Sequence, residues 1–579
     1  MKRFLLVLLI GITVVLLLLV GRHRLIPTGS SAAALVPQET AFFLQIPDTI
    51  KNREAWHQTD LYALYREPAV QEFLSKPAGR MLKQGGLVEA WREAEALRMR
   101  EVFLATNTFD TLRLVGGFEF GCDQKAATGI IETWKLRLMA RFPGAQRTTI
   151  EYEKHSLDVI TAGISVASSF AGNRFLVASN VDDLKTILDR IDHRAKTPAL
   201  DSDENFRAAM KQMPAKCGWM FYLQPKQLVQ KLASLRAQNG RSGEETILER
   251  IQSFSHAMTF EGGKIKDVEF TAMPRLIDGK LTRDTLSNAS ADTFLYIASL
   301  FNLQQQIDWT QQSSRAPILQ QLTGALSGAG ITPDDWKKAF GDEISVLGDW
   351  PANTRMPTAV ATLAVRDAIR AGKIVRAIAE TYGWRSAALN NVQYFSATSG
   401  VGGLAISPTV AVTEHMLIFG IDPAGVRRAA AQQPNASPLT TTTGFKTSVK
   451  AVPEPQQMFF YLDLVMLYSR LDATLRPILQ MAAAFVPGFA EGVDAAKLPA
   501  VEVVTRHLSP VVAAQSYTGG GYRSESIGTI TVGQTIGVAA AAWIGVLALK
   551  NETGTVLKGL APSSSPTPSG SALSPSATP

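Results

Sequence analysis

The sequence contains the same succession of apolar segments twice, and this repeat constrains the fold more than any single motif. Residues 40–46 (TAFFLQI), followed by Trp56, recur in one register as residues 293–299 (TFLYIAS), followed by Trp309. Later segments recur in the same order: residues 174–178 as 415–419, residues 220–223 as 459–462, and Leu228 and Leu232 as Leu467 and Leu471. Each copy is far longer than a solenoid unit, so the pattern predicts domain duplication rather than a repeat array.

Local patterns within each copy predict both helices and strands. Leu184, Ile187 and Leu188 are spaced as one face of a helix. Residues 258–271 and 517–532 alternate around paired glycines, which indicates β-hairpins. Because hairpins are frequent and strict βαβ alternation is absent, we expect an α+β fold. We expect two internally duplicated domains, each a mixed, mostly antiparallel sheet with packed helices, at residues 35–274 and 286–534, joined by a linker at residues 275–285.

The N-terminus predicts a membrane anchor at residues 1–24. Residues 4–20 carry no charge, and about 17 residues make roughly 25 Å of helix, just enough to cross a bilayer core. Lys2 and Arg3 favour a cytoplasmic N-terminus, although Arg22 and Arg24 follow the apolar run. Small residues come too late after the run for a typical cleaved signal, so an uncleaved anchor is preferred and a cleaved signal is the alternative. We expect the body on the periplasmic or extracellular side of the inner (cytoplasmic) membrane.

The C-terminus contains a second apolar run and a polar tail. Residues 535–549 form an alanine-rich run that is short for a bilayer span. A second transmembrane helix and a helix packed on the body or membrane surface both fit, so the protein is single-pass or two-pass. Residues 561–579 are rich in Ser, Pro and Ala and carry no charge. Such a segment buries too little apolar surface to fold, so we expect a disordered tether.

Charge and cysteine usage exclude several classes of function. The chain has 58 Lys and Arg against 51 Asp and Glu, a net charge of +7, and four of the positive residues flank the N-terminal apolar run. The remaining charge gives no basic footprint for nucleic acid. Cys122 and Cys217 allow either a disulfide or two separate buried thiols, and no Cys-x-x-Cys pair is present for zinc or redox chemistry.

No motif in the sequence predicts catalysis, a cofactor or a metal. The seven histidines lack metal-binding spacing. Residues 163–167 (GISVA) approach a nucleophile elbow, and residues 400–405 (GVGGLA) approach a dinucleotide pattern, but both fall among strands and favour hairpins. The adjacent carboxylates Asp334 and Asp335 follow Thr332 and Pro333, which is typical of a helix start. Trp56 and Trp309 hold equivalent places in the two copies, and a role as core anchors is favoured for them over a role in paired ligand sites.

The opening of the chain resembles a known family. The similar residues are 36–40 (VPQET), 47–48 (PD), Trp56, 59–64 (TDLYAL) and 67–73 (EPAVQEF). They resemble the start of an uncharacterised family of N-terminally anchored bacterial envelope proteins that carry a domain of unknown function. The resemblance covers about the first third of the chain, implies an exported bacterial protein and supplies no catalytic residues.

These observations favour a non-catalytic function. We expect a membrane-anchored envelope protein with a binding or structural role, attached to the lipid bilayer through its N-terminal helix and contacting an unknown envelope protein partner. The alternatives are an exported hydrolase whose site is assembled from distant loops, and an accessory or sensor subunit of an envelope complex.

Overall fold

The computed structural model describes residues 32–83, 87–108, 113–142, 144–162, 165–226, 230, 247–303, 305, 324–390, 392–397, 407–431, 438–485 and 494–536. The chain divides into two compact units, Met1–Thr531 and Val532–Pro579. The expected anchor at residues 4–20, the run at 535–549 beyond Ile536, and the tail at 561–579 lie outside the described residues. Within the described ranges, no helix combines the length and the apolar character needed to cross a membrane.

The first repeat contains ten strands and eight helices in its described part. The strands are β1 (Phe42–Ile46), β2 (Val102–Thr106), β3 (Leu114–Glu119), β4 (Gln146–Tyr152), β5 (His155–Thr161), β6 (Ser165–Ala171), β7 (Arg174–Ala178), β8 (Trp219–Leu223), β9 (Ser253–Glu261) and β10 (Lys264–Ala272). The helices are α1 (Thr49–Trp56), α2 (Asp60–Arg66), α3 (Pro68–Lys83), α4 (Leu87–Leu97), α5 (Gln124–Arg141), α6 (Val181–Ile191), α7 (Glu204–Met210) and α8 (Ile247–Arg250). Short 3₁₀ turns lie at Ala32–Ala34 and Leu200–Ser202.

The second repeat has ten strands and six helices in its described part. Its strands are β11 (Thr293–Leu300), β12 (Phe340–Asp349), β13 (Thr358–Val365), β14 (Arg385–Leu389), β15 (Val392–Ser396), β16 (Thr409–Val412), β17 (Met416–Gly420), β18 (Met458–Leu462), β19 (Val511–Thr518) and β20 (Gly521–Gly528). Its helices are α9 (Pro333–Ala339), α10 (Ala368–Thr381), α11 (Pro423–Ala431), α12 (Thr443–Val449), α13 (Leu464–Phe485) and α14 (Val501–Thr505). Its 3₁₀ turns lie at Asp284–Asn288, Leu439–Thr441 and Ala495–Lys497.

All twenty described strands join in one sheet. The first repeat runs β4-β5-β6-β7-β3-β2-β1-β8-β9-β10, and the second repeat runs β14-β15-β16-β17-β13-β12-β11-β18-β19-β20. The two strand orders are therefore the same, with every strand number raised by ten. The pairing of β10 with β20 connects them. The α+β class is confirmed, but every pairing among the described strands is antiparallel, whereas a mixed sheet was expected.

Turn chemistry explains why the two central hairpins form where the sequence predicts them. Gly262 and Gly263 connect β9 to β10, and Gly519 and Gly520 connect β19 to β20. All four have positive φ, between 57° and 81°, a conformation that costs glycine little because it lacks a Cβ. The residues expected to form a linker, 275–285, pack on the second repeat, because Leu281 is buried and its N–H donates to the Gln456 carbonyl.

Equivalent aromatic residues form the two cores on one face of the sheet. Tyr222 and Tyr461 are both fully buried. Phe206 packs edge-on against Tyr222, and Phe445 packs in the same way against Tyr461, each with ring centroids 5.0 Å apart. Because strands alternate their side chains between two faces, this face of the central strands is called the core face below, and the opposite face is called the outer face.

Helices cover the two ends of the outer face. In the first repeat, α4 and α5 bury Leu97 and Ile131 together with Phe118 of β3. In the second repeat, α9 and α10 bury Ala339 and Ile374. The central strands lie between these two helical layers.

Candidate binding surface on the central sheet

The outer face of the central strands is apolar and only half-buried. On β1, β8 and β9 it presents Phe42, Phe221 and Phe254, which are intermediate in exposure although their neighbours on the core face are buried. On β11 and β18 it presents Ile297 and Phe460, which are half-buried too. A sheet that buries one face completely and leaves large apolar side chains on the other partly in water has a surface suited to binding.

The strand register places three ionisable residues in the middle of this surface. Phe221 of β8 lies opposite His256 of β9, and His256 lies opposite Glu269 of β10. Asp267 precedes Glu269 by two residues on β10 and lies on the same face of the sheet. The group of His256, Asp267 and Glu269 is called the histidine cluster below.

The geometry of the histidine cluster is compact. His256 Nδ1 lies 3.4 Å from Glu269 Oε1, and His256 Nε2 lies 3.7 Å from Asp267 Oδ1. The imidazole stacks on Phe221 with ring centroids 5.5 Å apart, and its centroid is 4.7 Å from that of Trp219. His256 and Asp267 are more than nine-tenths buried, whereas 39% of the Glu269 side chain is exposed. Glu269 therefore connects the cluster to solvent.

Burial dominates the electrostatics of Asp267. It raises the pKa of the Asp267 carboxyl, although a hydrogen bond from Thr531 and the charge of His256 lower it in part. Asp267 Oδ1 is buried and makes no hydrogen bond within the described part of the chain. An ionised carboxylate in this position costs folding free energy, because desolvation penalises the charge and one acceptor has no donor.

The duplication supplies an internal comparison for this cluster. Alignment of the two glycine pairs places Ala513, Ser524 and Ser526 at the positions of His256, Asp267 and Glu269. The second repeat forms the same hairpin with neutral residues, so the fold does not need the charges. Residues that the fold does not need, and that cost stability, are candidates for function.

Two other histidines pair with carboxylates, and both pairs have a structural explanation. His155 Nε2 lies 3.0 Å from Asp192 Oδ2, where hydrogen bonds from Lys154 and His155 lower the pKa of Asp192. His507 Nε2 lies 2.6 Å from Glu67 Oε1, and the hydrogen bond with His507 lowers the pKa of Glu67. The first pair ties a strand to the end of α6, and the second ties the two repeats together.

The surroundings of His256 are carboxylates and aromatic rings. Both of its ring nitrogens face carboxylates, Nδ1 that of Glu269 and Nε2 that of Asp267. Among the described residues, no group of three or more His, Cys, Asp or Glu has a geometry that could hold a metal ion. Two carboxylates beside aromatic rings can accept a cationic group, because the ring faces and the carboxylates both attract positive charge.

The two cysteines are free thiols. Cys122 packs against the cluster around α5, and Cys217 packs against the core face of the first repeat, so they belong to different hydrophobic clusters. Burial raises the pKa of Cys122, and it raises the pKa of Cys217 to about 11. Thiols with raised pKa values are poor nucleophiles at neutral pH.

The structure describes some of the residues that the sequence analysis weighed for chemistry. Ser165 is the first residue of β6, and Thr332 and Asp335 form a reciprocal capping box at the start of α9. The hydrogen bonds from Thr332 lower the pKa of Asp335. Trp56 packs edge-on against Tyr62 and Phe260. Residues 163–164, 309 and 400–405 lie outside the described part of the chain.

Sequence reasoning missed the histidine cluster, although a signal for it is present. Residues 258–271 predict a hairpin that turns at Gly262-Gly263. Extending that register back by two residues places His256 opposite Glu269, and period-two alternation places Asp267 on the same face. The cluster becomes visible in the sequence when β9 and β10 are paired residue by residue, because its members are not contiguous in the chain.

Comparisons with known proteins give one distant resemblance. No protein-family model matches the chain, and no curated protein sequence is similar to it. Among solved structures, crystal form III of the treponemal protein TP0453 aligns with 44% of this chain and 83% of its own, at 9% identity and a TM-score of 0.25. Crystal form I aligns with 43% and 82%, at 8% identity and a TM-score of 0.24. These values carry no argument about function, and the resemblance of the opening residues to an uncharacterised envelope family stays a prediction.

Proposed function

We propose that this protein is a membrane-tethered envelope protein that binds a partner on the outer face of its central sheet and catalyses no reaction. The tether is the apolar segment at residues 4–20, whose length and lack of charge suit a bilayer. The observation that supports binding is the histidine cluster, which is charged in one repeat and replaced by Ala513, Ser524 and Ser526 in the other.

The chemistry of this surface indicates the kind of partner. Phe221, Phe254 and Trp219 offer half-buried ring faces, and Glu269, with 39% of its side chain exposed, offers a carboxylate at the solvent side of the histidine cluster. A Lys or Arg side chain flanked by apolar residues would pair with that carboxylate and cover the rings. We therefore propose a segment of an envelope protein with a basic residue among apolar ones as the partner.

Site-specific photocrosslinking in the full-length chain tests where the partner binds. A photoreactive phenylalanine analogue replaces Phe254 on the outer face, and a control chain carries it at Ile369, which is 77% exposed on α10. We expect a discrete adduct from position 254 in intact cells and none from position 369. Equal labelling at both positions, or none at position 254, would contradict the assignment of the surface.

A second variant separates binding from folding. The triple change His256→Ala, Asp267→Ser and Glu269→Ser gives the first repeat the residues of the second. We expect the free energy of unfolding to stay the same or to rise by up to about 2 kcal/mol, because a buried carboxylate is removed. The adduct at position 254 should disappear. A loss of more than about 2 kcal/mol would show that the cluster serves the fold instead.

A further inference from the structure

Helix α13 presents a continuous apolar stripe to solvent. Its large apolar side chains become steadily more exposed toward the C-terminal end: 36% for Leu471, 41% for Leu475, 53% for Ile478, 58% for Met481 and 79% for Phe485. These positions follow the three- and four-residue spacing of one helix face. Apolar side chains of this size are normally buried, and a stripe of them is therefore a candidate interaction site.

The first half of α13 is fixed to the protein. Arg476 forms an ion pair with Asp472, and its guanidinium also donates to the carbonyl groups of Leu498 and Pro499. Arg470 donates to the Trp350 carbonyl. These contacts all lie at or before residue 476, so they hold the first half of the helix. The last two turns, from Ile478 to Phe485, carry the most exposed part of the stripe.

The sequence around this helix end differs between the repeats in a way that the fold does not require. No charged residue occurs from Pro477 to Ala490. The alignment through Leu228 and Leu232 places residues 238–251 of the first repeat opposite this segment, and they carry Arg241, Glu244, Glu245, Glu249 and Arg250. Only the second repeat therefore lacks charged residues along this segment. This difference indicates an apolar environment for the segment in the second repeat.

We propose that the C-terminal half of α13 inserts into the interface of a lipid bilayer, as a second membrane contact besides the N-terminal tether. The inference rests on the membrane attachment included in the proposed function. Insertion by its end explains why exposure rises along the helix, since the residues farthest from the anchored half would lie deepest in the lipid. An amphipathic helix of this kind places its apolar side chains among the headgroups and upper acyl chains.

A bilayer fits this stripe better than a second copy of the chain. Five side chains at one helix end offer much less than the roughly 800 Å² per partner that a stable dimer buries. If two copies paired along this helix, a single chain would expose the contact face evenly along the helix axis, whereas the exposure observed here rises toward one end. A lipid surface needs no shape complementarity, and the tether keeps it close to the protein.

Fluorescence quenching in the full-length protein tests the inference. Cys122 and Cys217 are changed to Ala, and an environment-sensitive dye is attached at Ile478→Cys. The control carries the dye at Leu136→Cys on α5, which is 61% exposed in the other repeat. Both chains are reconstituted into vesicles of phosphatidylethanolamine and phosphatidylglycerol with nitroxide-labelled acyl chains. If the cysteine-free chain does not fold, a fluorescent amino acid at the same positions replaces the dye.

We expect the nitroxide lipids to quench the dye at position 478 severalfold more strongly than the dye at position 136, and iodide in the buffer to show the reverse order. A chain that floats with the vesicles while its dye at position 478 is quenched by iodide would overturn the inference and leave the tether intact. A dye shielded from both quenchers would assign the stripe to a protein partner or a second copy, which also overturns it. A chain that fails to float would overturn the tether and the insertion together.

Discussion

A glutamate holds the start of each repeat in place. Glu343 accepts hydrogen bonds from the N–H of Arg283 at 2.6 Å and from the N–H of Thr285 at 3.2 Å. Glu101, at the equivalent position of the first repeat, accepts the N–H of Ala32 at 3.1 Å. Thr285 and Ala32 are also equivalent in the repeat register. The same carboxylate therefore fixes the 3₁₀ turn that precedes the first strand of each repeat.

Replacing this carboxylate should be costly. Glu343→Ala should lower the free energy of unfolding by about 2–4 kcal/mol, because two backbone donors and the Thr285 hydroxyl lose a buried acceptor. Urea denaturation measures the loss. Asp342→Ala is the matched control, since Asp342 is exposed and pairs with Arg366 at the surface, and it should cost less than about 1 kcal/mol. Equal losses in the two variants would contradict the role of Glu343.

Asp158 gives the stability of the first repeat a dependence on pH. Burial alone would raise the pKa of Asp158, but hydrogen bonds from Arg147 and Lys135 lower it below its ordinary value. An acid whose folded-state pKa is lowered stabilises the fold while it is ionised, and this stabilisation is lost as the pH falls through the folded-state pKa.

Asp158→Asn should therefore destabilise the protein at neutral pH by about 1–3 kcal/mol and much less in acid. Urea denaturation of both chains from about pH 7 down to about pH 3 measures the difference, which should shrink below the ordinary Asp pKa of about 4. Glu151→Gln, an exposed change in the neighbouring strand, is the control. A difference that stays constant across this range would contradict the argument.

At the scale of elements, periodicity was enough to locate many helices and hairpins. Leu184, Ile187 and Leu188 line the buried face of α6, which runs from Val181 to Ile191 as their spacing predicts. Thr332 caps α9 as expected. By contrast, the exposed strand β14 has no apolar alternation to reveal it, since all of its residues face solvent. The pairing of β10 with β20 depends on contacts between distant segments, which no local pattern records.

The same limit explains why the candidate binding surface could not be read from the sequence. Motif searches look for residues close together in the chain, whereas His256 meets Asp267 and Glu269 across a hairpin and stacks on Phe221 of a third strand. The half-burial of the surrounding aromatic rings depends on which part of the outer face the helices leave uncovered. The contacts of His256 and the exposure of these rings are therefore properties of the assembled sheet.

The pairing of β10 with β20 needs glycine at one end. A Cβ on Gly521 would approach the Thr271 carbonyl too closely and would lie 2.8 Å from the Phe270 ring. Gly521→Ala should therefore lower the free energy of unfolding by about 2 kcal/mol or more, and hydrogen exchange of the β10 amides should speed up. Gly520→Asn is the control, because position 520 has open space and Asn tolerates its positive φ. If Gly521→Ala left the free energy of unfolding unchanged, the close packing at this position would be contradicted.

At the scale of the whole body, β10 and β20 meet at a pseudo-two-fold axis. Val268 and Glu525 lie opposite each other, and they also occupy equivalent positions in the two repeats. The axis that relates the repeats therefore passes between these two residues. Lys266 lies 3.2 Å from Glu525, and Arg523 also contacts its carboxylate, so the charge at the axis is neutralised.

The residues around this axis favour pairing between unlike repeats. Two copies of β20 in the same register would place Glu525 opposite Glu525, and two copies of β10 would place Asp267 opposite Glu269. Pairing β10 with β20 instead sets Ser526 opposite Asp267 and Ser524 opposite Glu269. Like charges facing each other across a sheet are destabilising, so each repeat disfavours its own copy.

Separate expression of the repeats tests this argument. Chains of residues 32–274 and 275–531, mixed at equal concentration, should form a one-to-one complex through β10 and β20, supported by the contact of Glu67 with His507. Native mass spectrometry gives the stoichiometry.

The chain of residues 275–531 alone should associate with itself more strongly after Glu525→Val, because the facing carboxylates are removed and a β-branched residue replaces them. Homodimers of either unaltered repeat that compete with the mixed complex would contradict the argument. They would mean that the charges near the axis do not select the partner, and that the covalent connection between the repeats is what brings β10 and β20 together.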